Sequence, residues 1–402
     1  MNLGWVDYSK EEKDTIQELL KMLGEVNSLD ELVVGVVRDS ISDLLYPGTS
    51  VLHTRAKYYI LIPELFEMAK RNDLTTSSDV RNFINDYQDK IAKGLKNSNN
   101  GKEEYGIIGG RNHSVKIKPT RIYWNALRVT RILCDEKLSF DDACSRVAVY
   151  NKKTQNITYK AEDEKRGADD YNGEIPYFTL FNTPCKQRIE DFLKNPTLSL
   201  TKDEAQYLND QFLVAPIMKG TLISYCLENN YSFKGVSFAN ILNSDIPNEL
   251  RNIINLAVEF ADFIYGAYIV YNIAFLNNGG KDATEEEKNK LQAEYEEWKK
   301  VTKGLPNREK ILSLVSGHDH YKSVLNCFLN EFESAVKKNS SNICSEEEKN
   351  IIRSREKSCK RSKAKLDNMN YSYQRVHQRR MTYRHEIAQN IIFDILVGKG
   401  GN

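Results

Sequence analysis

The sequence predicts a mainly α protein, a multi-helix globular chain with few short β-strands. Three observations carry that expectation: apolar residues recur at helical spacing along most of the chain, capping signatures open several segments, and β-favouring runs are brief. No heptad array or solenoid repeat is present. At 402 residues there is room for two or three domains and a sizeable core. Shifts in composition divide the chain into an N-terminal helical domain over 1–150, a central helical domain over 151–340, and a basic C-terminal segment over 341–402 that docks on the core.

Trp5 is expected to pack a short extended opening onto the core, and Ser9, with Glu12 at the capping-box position, to start a helix from Lys10 to about Leu23. The stretch DELVVGVVRDSISDLLYPGTSVLHTRAKYY, residues 30–59, reads as a helical hairpin. Leu32, Val33, Val36, Val37, Ile41, Leu44 and Leu45 mark the buried side of its first helix, while Glu31, Gly35, Arg38 and Ser42 fall on another face beside Asp39. Gly35 costs roughly 1 kcal/mol of helix stability relative to Ala, and it permits close approach of a ligand or backbone. Pro47 ends the first helix at Tyr46, Pro-Gly makes the turn, and Thr49 or Ser50 caps a second helix that carries Arg55 and Tyr58 as far as Pro63. Charges converging on such a hairpin describe either a buried ion-pair network that sets its angle or a ligand or catalytic pocket.

A helix over 78–95 follows, then a polar loop. Glycines 106, 109 and 110, followed by Arg111 and His113, suit a turn that brings backbone amides near a pocket, but they match no nucleotide-binding fingerprint. Pro119 and Thr120 open a helix whose Tyr123, Trp124 and Leu127 look buried and whose Arg121, Asn125, Arg128 and Arg131 are polar. Ser139 and Asp142 cap the next helix, to about Val149, and 151–174 reads as a linker or exposed loop. Further helices are expected from Cys185, from the capped Thr201, over 217–227, over 248–276 and, capped by Thr284, over 285–303, the last facing solvent. On the long helix Asn252, Asn255, Glu259, Asp262 and Gly266 form one polar stripe, which is a solvated face or a second pocket wall.

The balance of 57 basic and 56 acidic residues names no partner by itself. Local clustering does: between Ile351 and Arg384 there are eleven Lys or Arg residues against Glu356 and Asp367, with Tyr371, Tyr373, His377 and Tyr383 interleaved. Cations that neutralise phosphates next to rings that stack bases are a nucleic-acid signature, and the alternative is a helix whose long cations cover apolar surface. Arg128, Arg353, Lys360, Arg361, Lys363, Arg379, Arg380 and Arg384 are the candidate phosphate contacts. Seven cysteines, an odd number with no CxxC pair, point to reduced thiols and a cytoplasmic location. His318 and His320 lack further ligands, so no metal and no cofactor are expected. The N-terminus lacks a secretion signal, and the most apolar run, Phe263 to Leu276, falls short of the roughly 20 residues of a bilayer span. A soluble protein without a membrane partner is therefore expected.

The motifs LGWVDYS, DEL-xx-G-xx-RD, YPGTS-xx-TRAKYY, YG-x-IG and IYW-xx-L, taken together, resemble a large bacterial family of unknown function whose members look like components of anti-phage defence neighbourhoods. The resemblance implies action on foreign nucleic acid, with phage DNA as partner and other defence proteins as possible companions. Val33 stands where such proteins often carry Gly, and Tyr46 where they often carry Phe. The most concrete function is a metal-independent DNA glycosylase that excises modified bases: Glu31 or Asp39 would activate water, Arg38 and Arg55 would orient the substrate, and Gly35, Tyr58, Tyr123, Trp124 and Asn125 would line the base pocket. A non-catalytic DNA-binding or sensor subunit is the alternative. A metal-dependent nuclease using Glu31, Asp39 and Asp43 is the third.

Overall fold

A computed structural model of the protein describes residues 30–98, 105–109, 115–164, 178–183, 188–277, 284–316, 319–368 and 371–400. The expected opening strand, its Trp5 and the helix from Lys10 lie outside them. The described helices are α1 Gly35–Leu45, α2 Tyr58–Lys70, α3 Ser77–Ser98, α4 Pro119–Val129, α5 Phe140–Glu164, α6 Ile189–Phe192 and α7 Lys202–Val214. They continue as α8 Leu222–Glu228, α9 Asn248–Asn277, α10 Glu285–Val301, α11 Arg308–Ser313, α12 Asp319–Lys338, α13 Glu346–Lys360 and α14 His385–Lys399. Between non-helical segments, one isolated bridge pairs Leu133 with Phe181. The mainly α class is what the spacing of apolar residues dictates.

Two compact units form, each from separated stretches of chain: residues up to 41 with 251–383, and 42–250 with 384–402. The second unit is built around α2, of which Tyr58 to Leu65, Phe66, Met68 and Ala69 are all buried. Phe66 meets Trp124, Phe140 and Phe181 at ring distances of 5.7, 5.9 and 5.2 Å. Helix α14 completes this unit against α7 and α8, burying Ile391, Ile392 and Ile395.

The first unit is organised by α9, thirty residues long and apolar enough to cross a bilayer by length and composition. The window that meets that test is longer than the run expected from sequence, and 61% of it is buried inside the protein. Helix α10 is the charged amphipathic helix its sequence suggested, with Leu291, Tyr295 and Trp298 forming its buried face and the other residues partly or fully exposed. From Ala364 to Tyr383 the described chain is irregular and is tied down by side chains rather than by a ladder. Asn272 brackets Val376, donating to its carbonyl at 2.9 Å and accepting from its amide at 3.0 Å. The Tyr383 hydroxyl donates to the Ala257 carbonyl.

Four local readings are corrected. The hairpin's first helix begins only at Gly35, because Asp30 accepts the amides of Leu32 and Val34 at 3.1 and 2.7 Å, and Val33 sits at φ +52°. A side chain that captures nearby amides competes with the helical ladder. Leu44, expected inside, is 39% exposed. The second helix starts at Tyr58, leaving Arg55 in the preceding loop, and it runs through Pro63; burial of nearly all its residues outweighs the backbone bond that proline removes. Residues 151–164 continue helix α5 instead of forming a loop. The Asn151 amide anchors the continuation to a distant loop, donating to the carbonyls of Ala69, Asn72 and Leu74.

Gly266, part of the polar stripe on α9, is a packing glycine: a Cβ there would lie 2.0 Å from the Trp298 indole. Gly266→Ala sets a helix-propensity gain of about 1 kcal/mol against overpacking that costs typically about 1–3 kcal/mol. Because Trp298 is 2% exposed and its Nε1–H is held by the Asp262 carbonyl, the ring has little freedom to yield. Urea unfolding is expected to show net destabilisation; a more stable variant would contradict this packing.

Candidate functional site

The motif DEL-xx-G-xx-RD and the basic C-terminal segment, far apart in sequence, meet inside the first unit. Glu31 is 5% exposed. Its Oε1 lies 3.4 Å from both the Lys360 and Lys365 ammonium groups, and its Oε2 lies 3.2 Å from His377 Nε2. Lys360 and Lys365 are themselves buried. Burial pushes the Glu31 carboxyl up, but the His377 hydrogen bond and the two lysine charges more than offset it and hold it at about 2. The group is therefore a carboxylate at every physiological pH.

Asp30 anchors the other side. Besides capping Leu32 and Val34, it accepts the Tyr268 hydroxyl, and Tyr268 stacks on His377 with ring centroids 3.9 Å apart. The Arg355 guanidinium donates from Nε to the Leu32 carbonyl at 2.9 Å, fixing the backbone that carries the acidic pair. Tyr271 donates to Glu356, whose carboxylate also accepts the amides of Lys365 and Leu366. Arg38 and Asp39 pair with each other at 3.2 Å on the half-exposed face of α1. Oxygens of Asp30 and Glu31 and a nitrogen of His377 lie within 4.8 Å of one another. Three such donors fit a divalent ion by type, but Lys360 and Lys365 already neutralise Glu31, so an ion would have to displace them.

Arg55 belongs to the second unit. Its Nε–H donates to Asp394 at 2.8 Å, Asp394 also accepts the Ala56 amide, and Nη1 donates to the Tyr105 carbonyl. The Tyr123 hydroxyl accepts the amides of Thr54 and Arg55 at 2.8 and 3.1 Å and donates to the Arg55 carbonyl. Burial raises its pKa to about 12. His53 stacks on Tyr123 at 4.1 Å and is pushed down to about 4 by burial, so it is neutral near pH 7. The Tyr58 hydroxyl accepts the Ile108 amide, and Thr54 donates to the Gly106 carbonyl. Gly106 has φ +94°, and a Cβ there would lie 2.5 Å from Arg55 Cγ, so the glycine-rich turn closes onto TRAKYY. The cavity bordered by Tyr58, Gln88 and Ile108 is only ≈ 10 Å³, about one water and far less than a base requires.

The other expected pocket residues behave as packing or surface groups. Trp124 donates its Nε1–H to the Leu138 carbonyl within the ring cluster, and Asn125 is exposed. Gly35 lies 3.4 Å, at its Cβ position, from Arg38 Nη2. Within the first unit, the polar stripe of α9 borders an open hollow of ≈ 720 Å³ with Asn252, Asn255, Glu259, Lys303, Asn307 and Lys310. Glu259 there accepts the backbone and side-chain amides of Asn307.

The candidate phosphate contacts separate by environment. Lys360 is sealed against Glu31, Arg353 contacts Asn350, Arg380 pairs with Asp262 at 2.7 Å, Arg384 pairs with Asp43 at 2.8 Å, and Arg128 is half-buried. Arg361, Lys363 and Arg379 are exposed and take no acidic partner among the described residues. Sequence reasoning missed Lys365 and the contact role of His377. Their only local signal was membership of the basic run.

Glu31→Gln is expected to remove about 3 kcal/mol at pH 7, the order implied by a carboxyl lowered from 4.5 to about 2. A lowered folded-state pKa stabilises above the unfolded value, and that stabilisation is lost as pH falls from about 4.5 through 2. Urea unfolding at pH 7 and pH 3 should therefore show the variant's deficit shrinking in acid. An equal deficit at both would mean that the cluster contributes no charge-dependent stability.

Comparison with known proteins agrees with the resemblance of the N-terminal motifs and goes no further. No curated protein and no solved structure matches the chain, while residues 1–141 match the model of a family of unknown function, DUF6361.

Proposed function

We propose that this chain is an anti-phage defence protein that grips foreign DNA through its basic C-terminal segment. The observation that carries the reading is the division of that segment's cations. Lys360 and Lys365 are held inside against Glu31, whereas Arg361, Lys363 and Arg379 face solvent without acidic partners among the described residues. Cations not required by the fold itself are those that release counterions from phosphates. The defence context rests on the motif resemblance, and other defence proteins are its proposed companions.

A second reading has one specific observation in its favour. Glu31 is held ionised next to a histidine that is one-third exposed. An ionised carboxylate behind a solvent-reachable base suits metal-independent hydrolysis of the N-glycosidic bond of a modified nucleotide. Arg55, Tyr58 and Tyr123 lend this reading nothing, being occupied by Asp394 and by backbone groups of their own unit.

Replacing Arg361, Lys363 and Arg379 together with alanine should weaken binding to duplex DNA. The slope of log affinity against log salt should fall by about 2.7, near 0.9 for each phosphate no longer neutralised. Stability should change by less than about 0.5 kcal/mol per site, as expected for surface positions. Fluorescence-anisotropy titrations at several salt concentrations give the slope. Wild-type affinity in the triple variant would end the DNA-gripping proposal.

A further inference from the structure

We propose that His377, oriented by Glu31, is a general base that activates water against the C1′ carbon of a DNA nucleotide. The inference rests on the DNA-binding reading and gives the hydrolytic one a different acting residue. Glu31 itself is sealed, 5% exposed and shared among two lysines, so it does not reach a substrate. The His377 side chain, by contrast, is 33% exposed.

Two surfaces of the ring are fixed. Its face lies on Tyr268, whose hydroxyl is in turn held by Asp30, and its Nε2 is 3.2 Å from the Glu31 carboxylate. A neutral imidazole that donates from Nε2 to a carboxylate carries its lone pair on Nδ1, so the contact selects one tautomer. The same carboxylate stabilises the imidazolium formed once the proton is taken. His377 also has φ +48°, a left-handed conformation that a non-glycine side chain rarely adopts. The chain holds it there through the flanking Asn272–Val376 bonds and the Arg375 pair with Glu294. Strain kept in place by surrounding contacts gathers where a side chain must be aimed. Arg379, exposed two residues further on, is a phosphate contact of the proposed DNA surface.

In the step, water oxygen bonds to C1′ while its proton passes to His377 Nδ1. The C1′–N bond breaks with its electron pair leaving on the base. The base takes up a proton from solvent, and the products are the free base and an abasic site. No oxidant or further reactant is consumed. Glu31 is a positioning residue and His377 the catalytic one.

The test uses the full chain and His377→Gln, a change at a partly exposed position that leaves the Glu31–lysine contacts in place. Three readouts are taken: ¹⁵N NMR of the His377 ring, anisotropy binding to duplex DNA, and abasic-site formation on phage DNA with and without modified bases. The proposal expects an Nε2–H tautomer in the wild type. It also expects the variant to bind DNA normally and to form abasic sites at least about a hundredfold more slowly, the lower end of general-base contributions. An Nδ1–H tautomer, an equally active variant, or strand breaks in place of abasic sites would overturn it. Wild-type protein that binds both DNAs and excises nothing would overturn the hydrolytic site and leave the DNA-gripping reading standing. Absence of binding would instead remove the reading beneath it.

Discussion

A carboxylate taken out of water must be neutralised on the spot, and Glu31 shows how much chain that requirement recruits. Two ammonium groups and one imidazole converge on it, and both lysines are themselves buried. Removing either sign leaves the other uncompensated in a poorly solvated interior, a far larger penalty than the pair's net contribution. The acidic motif near residue 30 and the basic segment beyond 351 are thus mutually dependent. The charge run is partly an internal counterion and only partly a surface.

That division changes how a basic stretch is read. Eleven cations against two acids suggests one continuous electrostatic footprint. Inside the first unit the same cations have different fates, set by which face of α13 or of the irregular 364–383 stretch they occupy. Lys360 closes the last turn of α13 onto Glu31, while Arg361, one residue later and at φ +52°, faces outward. The positive φ at this C-cap turns the chain off the helix axis, and here the turn separates structural cations from solvent-facing ones.

In the second unit TRAKYY works by hydrogen bonding to backbone. Tyr123 receives two amides and returns a proton to a carbonyl, Tyr58 receives one amide, and Arg55 is shared between Asp394 and the Tyr105 carbonyl. Each of these groups satisfies a loop amide or carbonyl that a helix would have satisfied itself, since residues 50–57 are not helical. The motif holds a loop in place, and its residues are too occupied to serve a ligand.

Helix type and helix ends were largely legible from short-range chemistry. Thr201 with Glu204 forms a capping box, Thr284 caps α10, and Pro119 opens α4, each as local hydrogen bonding and backbone geometry dictate. The amphipathic α14 likewise docks by its isoleucines. Where local rules failed, a side chain had taken amides that the helix would have used, as Asp30 does, or distant packing had extended a helix, as Asn151 does. Sequence alone determined the α class, several of the caps and the presence of charged motifs, because these depend on neighbours a few residues apart. Only tertiary structure decided which charges neutralise one another, since Glu31 and Lys360 stand 329 residues apart and nothing in either segment names its partner.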